Sequence, residues 1–203
     1  MKVDYVNSTI KKPAGKRTPA KTIGFDELKR YINIFQEVVD VKSPTEAIAM
    51  WAKAGYPEAL AMNVLHSVIV SFGGGHRIWG RFQKAYAASI SNINSLLSEA
   101  YVKRDADANQ LLGLITQIKG LGGLAYSTKM LRFLNANHVV LDSILREEFC
   151  LIESDYSIFA NHCREIAATL GVTPVDVESG LYAYVQIANP NQRLKDWNRY
   201  RCK

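Results

Sequence analysis

A cluster of glycines set between two runs of helical apolar periodicity constrains this 203-residue chain more than any other feature. Leu111, Leu112, Leu114, Ile115 and Ile118 recur at the spacing of one helix face and lead into Gly120-Leu121-Gly122-Gly123, after which Leu124, Met130, Leu131 and Leu134 resume the pattern. Two short helices joined by a tight turn, a helix-hairpin-helix arrangement, account for this spacing. Glycine admits backbone angles closed to other residues and lets the main chain approach a surface, while the amides that open the second helix have no acceptor within it. A phosphate oxygen fits against such amides, which makes Gly120, Gly122 and Gly123 candidates for contact with a phosphate backbone. The same glycines also suit an ordinary helix-helix turn ending in a left-handed cap.

Nearly everything after residue 24 carries helical patterning, and two-residue alternation is too scarce for a sheet, so the expected fold is all-α, a multi-helix domain with which a two-lobed arrangement around a central cleft is compatible. Phe25 to Val39 places Leu28, Tyr31, Ile32, Phe35 and Val38 on one stripe behind Asp26 and Glu27, whose charges suit a helix N-terminus. Ser43-Pro44-Thr45-Glu46 predicts a helix start with Ser43 as the cap. Further helices are expected from Pro57 to about Ser71, over Ala85–Val102, over Ser143–Ile152 and Tyr156–Leu170, and from Pro174 through Tyr184, with a charged connection over Lys103–Asn109. The stretch Phe72-Gly73-Gly74-Gly75-His76-Arg77-Ile78-Trp79-Gly80-Arg81-Phe82 interrupts this regularity. Three successive glycines cost backbone entropy on folding, so an ordered turn there needs a reason, such as close approach to a ligand. His76, Arg77 and Trp79 supply a hydrogen-bonding ring, a cation and a stacking surface, the groups that could fill a duplex gap or hold an extruded base, although Trp79 packed in a core satisfies the pattern equally. The lysine-serine/threonine ending of a phosphate-binding P-loop is missing here.

The net charge of +6 is concentrated at the ends of the chain. Lys2, Lys11, Lys12, Lys16, Arg17 and Lys21 stand against Asp4 alone, among Pro13, Gly15 and Pro19, so residues 1–24 read as a basic flexible N-terminal arm, residues 25–190 as the helical domain and residues 191–203 as a basic C-terminal tail. In that tail Arg193, Lys195, Arg199, Arg201 and Lys203 interleave with Trp197 and Tyr200. Either tail could neutralise polyanion phosphates and release counterions, or simply be solvated. Cys150, Cys163 and Cys202 have no paired spacing, so neither a disulfide framework nor a metal site is indicated. No apolar stretch is long enough to span a bilayer and the N-terminal residues lack the apolar segment of a signal peptide, so no membrane partner is expected and a cytoplasmic location is.

The run Gly123-Leu124-Ala125-Tyr126-Ser127-Thr128-Lys129-Met130-Leu131-Arg132-Phe133-Leu134, followed by Val140-Leu141-Asp142-Ser143, resembles the helix-hairpin-helix DNA glycosylase superfamily, most closely its 8-oxoguanine DNA glycosylase-like branch. The resemblance extends at motif level from Leu111 to Gln186, including Ala167-Ala168-Thr169-Leu170-Gly171-Val172-Thr173-Pro174 and Leu181-Tyr182, and the first half of the chain has no counterpart in it. It implies a repair enzyme that excises a damaged or modified base from double-stranded DNA without a cofactor. In that family a lysine after the hairpin is the nucleophile and an aspartate opening the next helix assists it, positions that Lys129 and Asp142 hold here. Better-known members carry the lysine where Leu124 stands, so Lys129 requires either a turn extended by Gly122-Gly123 or a displaced lysine.

Attack on a glycosidic bond needs a neutral amine, and an apolar wall of Leu124, Met130 and Phe133 would favour one at Lys129. The amine would form a Schiff base at the sugar C1′, and strand cleavage by β-elimination could follow. Asp142 would stabilise the positive charge developing on the sugar. As isolated residues, Asp142 also suits a helix N-cap and Lys129 a solvated helix position. Two other readings stand beside the enzyme: a non-catalytic helix-hairpin-helix module that binds DNA as a repair or anti-phage accessory factor, and a helical protein-interaction domain.

Overall fold

The computed structural model describes residues 1–86, 89–118, 120–121, 123–189, 191 and 197, and it is mostly helical with a small sheet. The elements run β1 (Lys2–Asp4), β2 (Thr9–Lys12), β3 (Lys21–Gly24), α1 (Phe25–Val38), α2 (Lys42–Lys53), α3 (Glu58–His66), a π-helical turn (Ser67–Phe72), α4 (His76–Tyr86), α5 (Ile90–Val102), α6 (Ala108–Ile115), α7 (Leu124–Leu134), α8 (Ser143–Phe149), a 3₁₀ turn (Glu153–Asp155), α9 (Tyr156–Leu170) and α10 (Pro174–Ala188). The chain divides into two compact units. One joins Met1–Val39 to the segment from Leu141 onward, and the other is Asp40–Val140.

In the first unit, residues 1–24 are not a loose arm. Strands β1, β2 and β3 pair antiparallel in that order, with Ile10 opposite Ile23, and both isoleucines are fully buried. One inward isoleucine on each of two four-residue strands is too short an alternation to stand out against the surrounding lysines, which is why the sequence pattern points to an arm.

The segment between β2 and β3 is held by a buried carboxylate. Glu148 on α8 accepts hydrogen bonds from the Arg17 amide at 2.5 Å and from the Thr18 amide and hydroxyl at 3.1 and 2.5 Å. The Lys12 ammonium lies 3.5 Å from it, and both side chains of this ion pair are wholly buried. Burial pushes the Lys12 ammonium below its ordinary pKa, and Glu148 opposes that shift. Gly15 packs so tightly here that a β-carbon would come 2.7 Å from the Glu148 Cα.

Helices α1 and α10 form the centre of this unit. Their approach depends on Gly180, where a β-carbon would meet Leu28 and Ile32 side-chain atoms at 2.8 Å. Tyr31 and Tyr184 meet edge to face at 5.4 Å, and Phe35, Tyr182 and Trp197 form an aromatic cluster. Trp197 is therefore a buried residue and not part of a solvated tail. The basic residues expected around it, Arg193, Lys195, Arg199, Arg201 and Lys203, lie outside the described residues. Helix α10 begins with a capping box in which the Thr173 hydroxyl and the Asp176 carboxylate serve each other's amides.

In the second unit, α2 to α7 enclose a core that includes Trp51, Leu65, Ile69, Phe82, Leu97 and Leu111, all fully buried. Helix α2 starts one residue before Ser43, and Asp40 rather than Ser43 serves its first amides, accepting from Lys42 and Ser43 at 3.0 Å each. The Trp51 indole donates to Asn94, which in turn donates to the Tyr56 carbonyl, so the largest core side chain leaves no polar atom unpaired. The break expected over residues 72–82 shrinks to Gly73–Gly75, because α4 starts at His76.

Replacing Glu148 with alanine would leave Lys12 buried without its counter-charge and two amides without acceptors. We predict that Glu148→Ala lowers the unfolding free energy by about 3 kcal/mol or more, measured as a shift of the urea midpoint at unchanged slope. A midpoint equal to wild type would show that this carboxylate does not hold the strands.

Candidate functional site

Between α6 and α7 the described residues turn the chain back toward the core. Helix α6 closes with Thr116 and Gln117 amides donating to Leu112 and Leu114, and Ile118 and Leu121 turn inward to the core. Gly120 has a positive φ of 92°, while Gly122 lies outside the described residues. Gly123, the residue before α7, combines φ 73° with ψ −157°, a conformation open to glycine almost alone. No side chain caps α7 at Gly123, whose carbonyl accepts from the Ser127 amide at 3.2 Å.

Because α7 begins at Leu124, Lys129 lies well inside the helix and the glycines do not delay its start. The helix buries Ser127, Thr128, Met130, Leu131, Arg132 and Leu134, and leaves Lys129 half-buried. Of the expected apolar wall, Met130 points into the core and Phe133 meets Phe72 edge to face at 4.8 Å. Beside the amine lies Tyr126, one turn earlier, whose ring centroid is 5.0 Å from Lys129 Nζ in a cation-π arrangement.

Tyr126 also explains the glycine run. Its hydroxyl donates to the Gly73 carbonyl at 3.4 Å. A β-carbon at Gly73 would come 2.8 Å from the Tyr126 ring and from the Ile69 carbonyl, and one at Gly75 would collide with the Tyr126 hydroxyl and lie 2.9 Å from the same carbonyl. Gly74, between them, has a positive φ of 62°. The lysine and the glycine loop, far apart in sequence, are thereby brought to one tyrosine. Sequence reasoning assigned Tyr126 no role. The available signals were its position three residues before Lys129 on one helix face and the need for a large partner to explain the glycines.

Beside this junction is an open depression of about 510 Å³, lined by Gly74, Gly75, His76, Arg77, Arg81 and Tyr126. His76 and Arg77 are exposed. Trp79 is placed differently: half-buried, it meets His66 edge to face at 5.0 Å and stacks on Phe82 at 5.7 Å, so its ring is engaged internally.

Asp142 belongs to the other compact unit. It is the N-cap of α8, with Oδ1 accepting from the Leu145 amide at 3.0 Å, and is 8% exposed. Among the described residues no group of histidine, cysteine and carboxylate side chains is arranged to hold a metal ion, and no helix is long and apolar enough to cross a membrane. No family model, curated protein or solved structure matches this chain.

The Ile69 carbonyl cannot withdraw from a β-carbon at residue 75 without disturbing the π-helical turn. Gly75→Ala is therefore expected to cost about 1–3 kcal/mol of stability, measured by chemical denaturation. An alanine variant as stable as wild type would contradict the close packing of the loop on Tyr126.

Proposed function

We propose that the chain is a helix-hairpin-helix DNA glycosylase that removes a damaged or modified base from double-stranded DNA. The observation that carries this reading is the position of Lys129: half-buried on the helix that opens at Gly123, in the same unit as an open cationic depression. In the proposed reaction the Lys129 ammonium first gives up a proton; the free amine attacks C1′ as the glycosidic bond breaks, and the departing base takes the bonding electron pair and a proton. The C1′ bond to the ring oxygen then breaks, the oxygen taking a proton to become the C4′ hydroxyl, which gives an iminium between Lys129 and the opened sugar. Removal of a C2′ proton from that iminium expels the 3′ phosphate, and water releases the lysine. Asp142 is assigned the stabilisation of positive charge on the sugar, with proton transfer as a second task. Gly120, Gly122 and Gly123 are assigned to the DNA backbone, with no metal or organic cofactor.

The second reading, a helix-hairpin-helix module that binds DNA without chemistry, is favoured by one observation. The Asp142 side chain already serves as a helix cap, a role sufficient to explain an aspartate there.

Borohydride reduces an iminium to a stable amine and so separates the two. Duplexes carrying 8-oxoguanine, an abasic site or other modified bases should yield a covalent adduct with at least one substrate, and Lys129→Ala should abolish it with duplex binding retained. Asp142→Asn keeps a side-chain oxygen for the cap, so it should fold normally and form the adduct about a hundredfold more slowly. No adduct and no base release across the panel would leave the binding module as the function.

A further inference from the structure

We propose that the exposed face of α4 is a second phosphate-binding surface, separate from the hairpin, on which Arg77, Arg81 and Lys84 hold the sugar-phosphate backbone of a DNA strand. This rests on DNA being the partner. The three residues follow one another at four- and three-residue spacing, so they share one face of the helix, rising about 6 and 10.5 Å along its axis. All three are exposed, and no acidic residue occurs anywhere in α4.

They lack the counter-charges that several other basic residues have. Lys12, Lys16, Arg17, Lys21, Lys42 and Lys103 each face a carboxylate within ion-pair distance. Among the described residues, no carboxylate pairs with Arg77, Arg81 or Lys84. Three adjacent cations without partners repel one another, a cost that an anionic ligand removes.

Shape points to the same ligand. Two depressions open on this face, the one beside Tyr126 and another of about 500 Å³ lined by Arg77, Gly80, Arg81 and Lys84, so Arg77 and Arg81 border both. Gly80 lies inside a helix, where glycine costs about 1 kcal/mol relative to alanine. Packing does not require it, since a β-carbon there would meet nothing within 4 Å. Its effect is to leave the floor between the cations bare, open to close approach by a backbone. A strip this long exceeds a single phosphate group and suits a polymer with one charge per roughly 3.4 Å of axis on each strand.

The test measures affinity of the full chain for an undamaged duplex as a function of salt. Arg77→Ala/Arg81→Ala/Lys84→Ala should reduce the magnitude of the slope of log K against log salt by about 2.7, from about 0.9 for each lost phosphate contact. A control with equal charge loss, Lys29→Ala/Arg30→Ala/Lys53→Ala, replaces exposed cations elsewhere and should change the slope little. Gly80→Glu introduces a carboxylate among the cations at a site with room for it, with better helix propensity than glycine, and should lower the slope by about 0.9 while remaining folded. If wild type binds duplex and neither the triple variant nor Gly80→Glu moves the slope more than the control, the surface assignment is overturned and the DNA reading stands. If wild type binds no duplex, both fall. Loss of binding confined to vesicles of anionic lipid would put a membrane surface in place of DNA and overturn the proposal.

Discussion

The ring of Tyr126 occupies the space that side chains at residues 73 and 75 would need, and the features assigned to function in the Asp40–Val140 unit are arranged around it. On one side it makes the glycine loop obligatory, and that loop ends at the start of α4, which carries Arg77, Arg81 and Lys84. On the other it lies beside the Lys129 ammonium at cation-π distance. The loop therefore has a packing reason that is independent of any ligand, and its glycines need not touch DNA to be required. What they accomplish is to seat the turn before α4 against Tyr126 of α7 through a contact that tolerates no β-carbon.

The other unit depends on a different constraint. Glu148 is a fully buried carboxylate, a costly group unless every lone pair is served. Here amides, a hydroxyl and an ammonium from the segment between β2 and β3 serve it, which converts an otherwise polar N-terminal stretch into part of the folded core. The basic residues that read as a tail are thus divided between structure and surface. Lys12 belongs to the interior, whereas Lys2 and Lys11 remain exposed.

The sequence conveyed the helices well because their periodicity is long and their boundaries carry chemical signals. Tyr156–Leu170 ends at the left-handed Gly171, and Thr173-Pro174 opens the last helix, as the residue types imply. It conveyed the sheet poorly because each strand carries too few inward residues, and it misplaced the start of α2 because Asp40 lies outside the local box formed by Ser43 and Glu46. A two-lobed arrangement was compatible with the sequence, but the boundaries of the two units were not legible, since one of them joins the N-terminal strands and α1 to helices more than a hundred residues later. For the site, Lys129 and the glycines were visible as a pattern in the chain. Tyr126 was not, because its role lies in a contact with residues some fifty positions earlier.

The central claim is that Lys129 carries the chemistry. It is tested most directly by digesting the borohydride-reduced protein-DNA adduct and locating the sugar remnant by peptide mass spectrometry. A remnant on Lys129, with trypsin unable to cleave after that residue, is the predicted result. A remnant on a different lysine or on the N-terminal amine, with Lys129 unmodified, would contradict the account.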